Sequence, residues 1–468
     1  MFRRVLTYKG GPILAPEDGS WEVLAATVIA GLRKCGLRPT APMSPEEYLG
    51  CYRGRKLTIY SKAFDTLQHE KLAPRDFEVK AFIKKEKDKS NTSDPRIIQP
   101  RSPRFHVSFG RYVRAIEGKI YKRWTSLWQR AAKSTATPVC FKGLNYLERG
   151  NFFAEKWATF NRPVAVSLDA SRFDLHVSCD ALRFTDDLYR ACFHPRYRNE
   201  LDYLLQGRHA TRGVALCKES LWKYRKTGGR CSGDADTSLG NVCIMLAISY
   251  QIAKHLSIHL ELANDGDDQV FILESHQLSR LLEVVEPTFA QYGFRVKVEE
   301  PVYDFERIDF CQTRPVRTPA GCIMTRYPGS AMTKDLASFL PLQRRKVLED
   351  MLSAVGSCGL AAYACMPVLG QFYKTMSSVK GNGSKHWERT GVNLGYLYHT
   401  RGLLQEEKHG EGIHPSTRLS FWKAFGILPD LQEAMEAEIA NWQPGKNGPI
   451  HAVRQFSYWW SNAGPLTL

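Results

Sequence analysis

Asn264-Asp265-Gly266-Asp267-Asp268 carries the densest potential for chemistry in the chain. It lies between two apolar runs, 259–263 and 269–273. Asp-Gly between β-prone runs reads as a hairpin turn, because glycine adopts positive φ without steric cost. A hairpin that lifts adjacent carboxylates to its tip offers hard oxygen ligands to a cation. Mg²⁺ takes one or two carboxylates and completes its shell with water and phosphate oxygens. Taken alone, the pentapeptide reads more simply as an acidic surface turn.

A second pair of carboxylates lies upstream. The apolar run 164–168 reads as a buried strand and ends in Asp169-Ala170-Ser171-Arg172-Phe173-Asp174. A carboxylate at the end of a central strand is placed to hold metal. The next, five positions on, falls in the turn beyond, where it can monitor a sugar. By itself this spacing is common. Downstream, Gly228-Gly229-Arg230-Cys231-Ser232-Gly233-Asp234 reads as a flexible loop running into a helix that carries the apolar segment 242–253. Thr237 and Asn241, four apart, share one face of that helix. A glycine loop before a helix suits many phosphates and is weak evidence alone.

The charge is uneven. The chain has 468 residues with net charge +17, and residues 71–123 hold 15 basic against 6 acidic side chains. That balance points to a polyanionic partner such as nucleic acid, or to an anionic membrane surface. Pro95, Pro100 and Pro103 oppose helix formation, so Arg96, Arg101 and Arg104 are expected on an extended path, with a helix over 111–122. Forked guanidinium donors on such a path can clamp a triphosphate. A backbone-binding patch without chemistry is the alternative for this segment.

Helices are expected over 21–37, 44–60, 178–189 and 278–292. Strands are expected over 77–83, 294–299 (bearing Lys297) and 306–312. The chain turns mostly helical beyond about residue 325, with Asp430 and Glu433 at a capped helix start. The 12 cysteines show no C-x-x-C pair, and Cys231, Cys243, Cys311 and Cys322 lack metal-ligand spacing. They read as reduced thiols of a cytosolic protein. No apolar run approaches the roughly 20 residues of a membrane span, and no signal peptide is visible.

The order of these motifs is more specific than any one of them. A basic segment, Asp-x4-Asp, SGxxxTxxxN, GDD, a Lys-bearing strand and an FCQ segment follow one another. The chain resembles the viral RNA-dependent RNA polymerases, most closely those of tombusviruses, carmoviruses and umbravirus-like RNAs. The stretches concerned are IIQPRSPRFHVSFGRYVRAIEGKIYK, LDASRFDLHV, GGRCSGDADTSLGN, NDGDD, GFRVKVEEPVYDFERIDFCQ and TRLSFWKAFGILPD, spanning roughly residues 75 to 435. The resemblance implies an α+β right-hand fold, with an antiparallel palm sheet bearing the catalytic hairpin. Residues 1–160 would form an N-terminal extension and fingers, 161–312 the palm with interleaved fingers, and 313–468 the thumb and C-terminal region.

Roles follow by position. The resemblance implies Asp169 and Asp267 as ligands of two Mg²⁺ ions, for which Mn²⁺ can substitute, with Asp268 in support. It implies Lys297 as general acid for the leaving pyrophosphate. Lys84, Lys85 and Arg96 would contact the triphosphate. Asp174, Ser232, Thr237 and Asn241 would sense the ribose 2′-hydroxyl. Arg101, Arg104, Arg111 and Gly233 are assigned to RNA. Implied partners are a single-stranded viral RNA template with its nascent strand, ribonucleoside triphosphates, and a viral membrane-anchoring replication protein or an upstream region of a longer product. The implied place is the host cytoplasm at membrane-associated replication sites, and initiation without a primer is expected. Tyr458 and Trp459 suit stacking on a first base, although core packing is the simpler reading. Two rivals remain at this point: a basic RNA-binding scaffold with a dead site, opposed by the intact carboxylates, and a reverse transcriptase, opposed by SGxxxTxxxN and by Gly266.

Overall fold

The computed structural model describes residues 5–8, 11–84, 95–217, 220–390 and 412–444. Lys85, Tyr458 and Trp459 lie outside the described residues. The chain divides into two compact units, one of residues 1–142 with 162–301, the other of residues 143–161 with 302–468.

The first unit is built around the helix Thr237–Leu256. Its apolar positions run all round rather than along one stripe, and 15 of its 20 residues are buried, which makes it a core helix. Helices Ser20–Lys34, Pro103–Ala132, Cys179–Ala191 and Leu278–Gln291 pack around it. An antiparallel sheet lies against it, with strands in the order Glu261–Asp265, Asp268–Glu274, Pro163–Ala170 and Val296–Val298. The two inner strands are buried along most of their length, so their register is fixed by which face must be covered. A second sheet runs Ile97–Ile98, Val79–Ile83, Ala210–Cys217, Ser220–Thr227.

Two expectations for this unit need correction, and one element stands outside them. The helix expected over 44–60 is two helices, Pro45–Gly50 and Gly54–His69. A capping box of Ser44 and Glu47 starts the first, with Ser44 N–H donating to Glu47 Oε2 at 2.7 Å. Pro103 does not oppose a helix but begins one. It occupies the first helical position, where a missing N–H costs nothing, and Ser102 accepts from Phe105 N at 3.1 Å. Arg104 is therefore helical rather than extended. The hairpin Ala210–Cys217/Ser220–Thr227 was not expected at all.

In the second unit, helix Tyr146–Trp157 covers the hairpin Thr313–Thr318/Gly321–Arg326. The segment expected as a strand over 306–312 is instead a single 3-10 turn, Phe305–Arg307, followed by an isolated bridge from Phe310 to Thr313. The other described helices of this unit are Pro328–Asp335, Arg345–Tyr363, Leu369–Ser377, Gly383–Thr390, Pro415–Phe425 and Pro429–Asn441. The last begins on Pro429, and no side chain caps it, so the expected cap at Asp430 is absent.

Gly150 is where helix and hairpin touch. A Cβ there would lie 2.1 Å from the Cys322 carbonyl oxygen, and backbone cannot move aside as a side chain can. Gly150→Ala is expected to destabilise the chain by about 1–3 kcal/mol, read as a lowered denaturation midpoint.

Candidate active site

Strand register aligns the charged groups. Asp169 is paired on one side with Asp268 and on the other with Lys297. Asp268 opposes Asp265 across the turn. Directly opposed residues share a face, with Cβ atoms about 5 Å apart. Asp265, Asp268, Asp169 and Lys297 therefore make one row across the four strands. Lys142 closes the far end through an ion pair with Asp265. It is carried by a segment that zips onto the hairpin edge, Phe141 N to Asn264 O and Asn264 N to Val139 O, each 2.8 Å.

The turn takes its positive φ at Gly266, φ +87°, as a two-residue hairpin with glycine first requires. Asn264, fully buried, fixes it from below, donating to Gly266 O at 2.9 Å and accepting from Gly266 N at 3.2 Å. Asp267 is thereby held at the tip, exposed to solvent yet with its carboxyl partly desolvated by the protein around it. That burial pushes its carboxyl above the usual value, and the Asp174 charge adds to the rise, while a backbone N–H, Lys142 and Arg96 oppose it. Like charges directly opposed destabilise a sheet, and Asp169 and Asp268 are so opposed.

Among the described residues no three Asp, Glu, His or Cys side chains converge as a cage for a metal ion. Mg²⁺ does not need one: it binds through one or two carboxylates plus substrate phosphates and water. Opposed carboxylates with a neighbour whose charge is disfavoured by burial fit such an ion.

A second cluster surrounds Asp174, in the short helix Phe173–His176. The glycine loop is tied to this turn by Arg230 N to Asp174 O and Gly229 N to Val177 O, both 2.7 Å. Ser232 donates to Asp174 Oδ2, and Asn241 Nδ2 donates to Asp174 Oδ1 at 2.9 Å. Thr237 is turned the other way, its hydroxyl donating to Cys231 O at 3.0 Å, and so braces the loop. Three of the four residues expected together form one hydrogen-bonded group.

The basic residues scatter. Lys84 and Arg96 are joined through backbone, Lys84 N to Arg96 O at 2.8 Å, and the Arg96 charge reaches Asp267. Arg101 turns inward. It is buried and ion-paired with Asp234, and it donates to Gly207 O at 3.0 Å and Thr211 Oγ1 at 3.1 Å. Its placement corrects the expectation of an RNA contact, because the Asp234 carboxylate claims the guanidinium. Arg104 likewise donates to Asp76, Thr66 and the carbonyls of Glu70 and Lys71. Arg111 faces Glu200 at 3.8 Å. Gly233 opens onto a cavity of about 320 Å³ bordered by Tyr52, Lys56 and Arg114. Lys297 is exposed and donates to Glu299 Oε1 at 2.6 Å. That bond, with the Glu299 and Asp169 charges, raises its pKa above the usual lysine value.

The description "Viral RNA dependent RNA polymerase" belongs to a family model that matches residues 1–446. The chain belongs to the viral RNA-dependent RNA polymerases. Relatives carry the name RNA-directed RNA polymerase. That of Tobacco necrosis virus (strain A) is 41% identical over 400 residues, 84% of this chain and 53% of the relative. That of Groundnut rosette virus (strain MC1) is 35% identical, covering 90% of this chain and 48% of the relative. That of Carnation mottle virus is 35% identical, covering 91% and 54%. The resemblance read from the motifs thus stands, and the chain spans about half the length of the curated relatives it matches.

Several residues at this candidate site stand outside the sequence motifs. Lys142 directly follows an apolar run, 138–141, whose strand character was the available signal. Arg208, Arg230 and Asp236 form a buried ionic group behind the glycine loop. The alternating carboxylates Asp234 and Asp236 beside Arg230 hinted at it. No helix among the described residues is long and apolar enough to cross a membrane, and the described cysteines are unbridged.

Proposed function

We propose that this chain copies a single-stranded viral RNA, joining ribonucleoside triphosphates by nucleotidyl transfer at the carboxylate row, and that it starts without a primer. The observation that carries the reading is the direct opposition of Asp169 and Asp268 beside Asp267. A like-charge contact that local stability disfavours is expected where function requires it. The family supports the same chemistry. In right-hand terms, the sheet bearing the hairpin is read as palm, the basic second sheet and the helices over it as fingers, and the helical C-terminal part as thumb.

The 3′-hydroxyl of the growing strand attacks the α-phosphate, and pyrophosphate leaves. Asp169, Asp267 and Asp268 would hold two Mg²⁺ ions, or Mn²⁺ in their place. Bound there, the ions supply Lewis-acid stabilisation of phosphoryl oxygens and activation of the attacking hydroxyl. Lys297, kept protonated by Glu299, is suited to give its proton to the leaving pyrophosphate. Arg96, with Lys84 and Lys85, offsets the triphosphate charge. Asp174, Ser232 and Asn241 meet the 2′-hydroxyl, a donor and acceptor that separates RNA from DNA precursors. The cavity at Gly233, with Tyr52 and Lys56 on its border, suits an unpaired template base by stacking and charge. For place and partners, the family resemblance suggests cytoplasmic, membrane-associated replication sites reached through a viral replication protein.

Lys297→Ala is expected to lower kcat about a hundredfold, the usual worth of a general acid, and to remove the fall in rate at high pH. That fall belongs to a protonated lysine losing its proton, so it lies above the ordinary lysine pKa. An unchanged alkaline limb would place the acid elsewhere. The whole reading is tested by supplying the purified chain with single-stranded RNA and Mg²⁺, with ribo- or deoxyribonucleotides. Incorporation of ribonucleotides that chelation abolishes is expected. Equal use of deoxyribonucleotides would instead favour reverse transcription.

A further inference from the structure

We infer that Arg230 is a positioning residue for ribose recognition, setting Asn241 and through it Asp174 in the orientation that meets the 2′-hydroxyl; this rests on reading Asp174 and Asn241 as the ribose site. Arg230 Nε donates to Asn241 Oδ1 at 3.2 Å, and Asn241 Nδ2 donates to Asp174 Oδ1 at 2.9 Å. An arginine only donates and a carboxylate only accepts. The amide between them therefore has one allowed orientation, oxygen to Arg230 and nitrogen to Asp174. Removing the arginine frees the amide to rotate or flip, and the polar groups that should meet the sugar lose their fixed arrangement.

The arginine is itself held on three sides. Its Nη1 donates to Asp236 Oδ2 at 2.6 Å. Asp236 occupies the N-cap position of the Thr237–Leu256 helix, where a carboxylate ordinarily caps backbone N–H groups, yet it makes no cap bond. Its oxygen turns instead to Arg230, Arg208 and Tyr189. The guanidinium packs against Gly240, where a Cβ would come 2.2 Å from Nη2. Glycine inside a helix costs about 0.5–1 kcal/mol relative to alanine, so its place there is explained by the room it leaves for the arginine. Arg230, Asp236 and Asn241 are all buried. Nη2 of Arg230 has no hydrogen-bond partner among the described residues, so the bonds that anchor the side chain run through Nη1 and Nε.

A site built to hydrogen-bond a hydroxyl rejects the analogue lacking it because its own groups are then left unpaired. Loosening Asn241 and Asp174 weakens that rejection. Arg230→Lys keeps a charge beside Asp236 but cannot serve Asp236 and Asn241 from one rigid fork. Gly240→Ala displaces the guanidinium while leaving every polar group in the sequence.

The test is the ratio of kcat/KM for ATP against dATP on a primed RNA template, with the same ratio from equilibrium binding of the two nucleotides to the full chain. Asn241→Ala, Arg230→Lys, Gly240→Ala and the double variant Arg230→Lys/Asn241→Ala are compared. Each single variant should lower the ratio about ten- to a hundredfold, the worth of one hydrogen bond to a charged group. The double variant should fall no further than Asn241→Ala, since the two act as one. A ratio unmoved in Asn241→Ala overturns the ribose-site reading. A ratio lowered in Asn241→Ala but unmoved in Arg230→Lys and Gly240→Ala overturns this inference alone, as does an additive double variant. A uniform loss of activity toward both nucleotides, the mark of a merely structural role, also overturns it.

Discussion

Asp267→Asn is expected to stop nucleotide incorporation, lowering kcat at least about a thousandfold, while the chain stays folded and keeps its RNA affinity. The side chain sits at the hairpin tip, positioned by the Gly266 turn and the Asn264 clamp, neither of which uses its carboxylate. The substitution keeps shape and removes charge. Several kcal/mol of transition-state stabilisation depends on cations that a neutral amide holds poorly, and each 1.36 kcal/mol is worth about tenfold in rate. Burial and the neighbouring Asp174 already disfavour the Asp267 charge. Its carboxyl is therefore raised above the unfolded value, and losing the charge should leave stability equal to or greater than that of the parent. Activity and the denaturation midpoint, measured on one preparation, check both halves. Loss of activity together with a lowered midpoint would point to a structural role instead.

The second large effect is on stability. Asp236→Ala is expected to cost about 3–5 kcal/mol, because it leaves buried guanidinium charge without its partner. Asp236 is fully buried and meets Arg208 and Arg230 together. Burial alone would raise its pKa, but the two guanidinium groups, with bonds from Arg208 and Tyr189, overcome that and hold it down to about 2. The unfolded value is about 3.9. The stabilising contribution is therefore full above about pH 4 and is lost as the pH falls through about 2. Equilibrium unfolding in urea at neutral pH measures the loss directly. A difference within about 0.5 kcal/mol, the range of ordinary surface changes, would contradict that role and leave Asp186, which also ion-pairs with Arg208, as the carboxylate that matters.

What the sequence made legible was local. The Asn264–Asp268 hairpin could be read because largely apolar stretches flank it and its turn holds a glycine, which accepts φ +87° without steric cost. Asp169 could be placed because a run with four apolar residues in five, 164–168, precedes it. Asp174, Ser232 and Asn241 were grouped by resemblance, and the structure joins them by hydrogen bonds. What was not legible depended on partners far along the chain. Arg101 looked free in a basic, proline-rich segment, yet Asp234 takes its guanidinium from 133 residues away. The hairpin Ala210–Cys217/Ser220–Thr227 escaped notice because Arg212, Lys223, Arg225 and Lys226 break its apolar alternation. Pro103 reads as a breaker from sequence alone, because its effect depends on whether it falls at the first helical position or inside. Lys142 lies far from Asp265 in sequence and meets it only after the 139–142 segment joins the hairpin edge.

On the proposed reading, this carboxylate row copies RNA from an RNA template. Sequencing the products made by the purified chain from an unprimed single-stranded RNA, with four ribonucleotides and Mg²⁺, tests it most directly. Strands complementary to the template, absent when Asp267→Asn replaces the parent chain, are the predicted result. Products whose sequence ignores the template, or complementary strands made equally by Asp267→Asn, would contradict it.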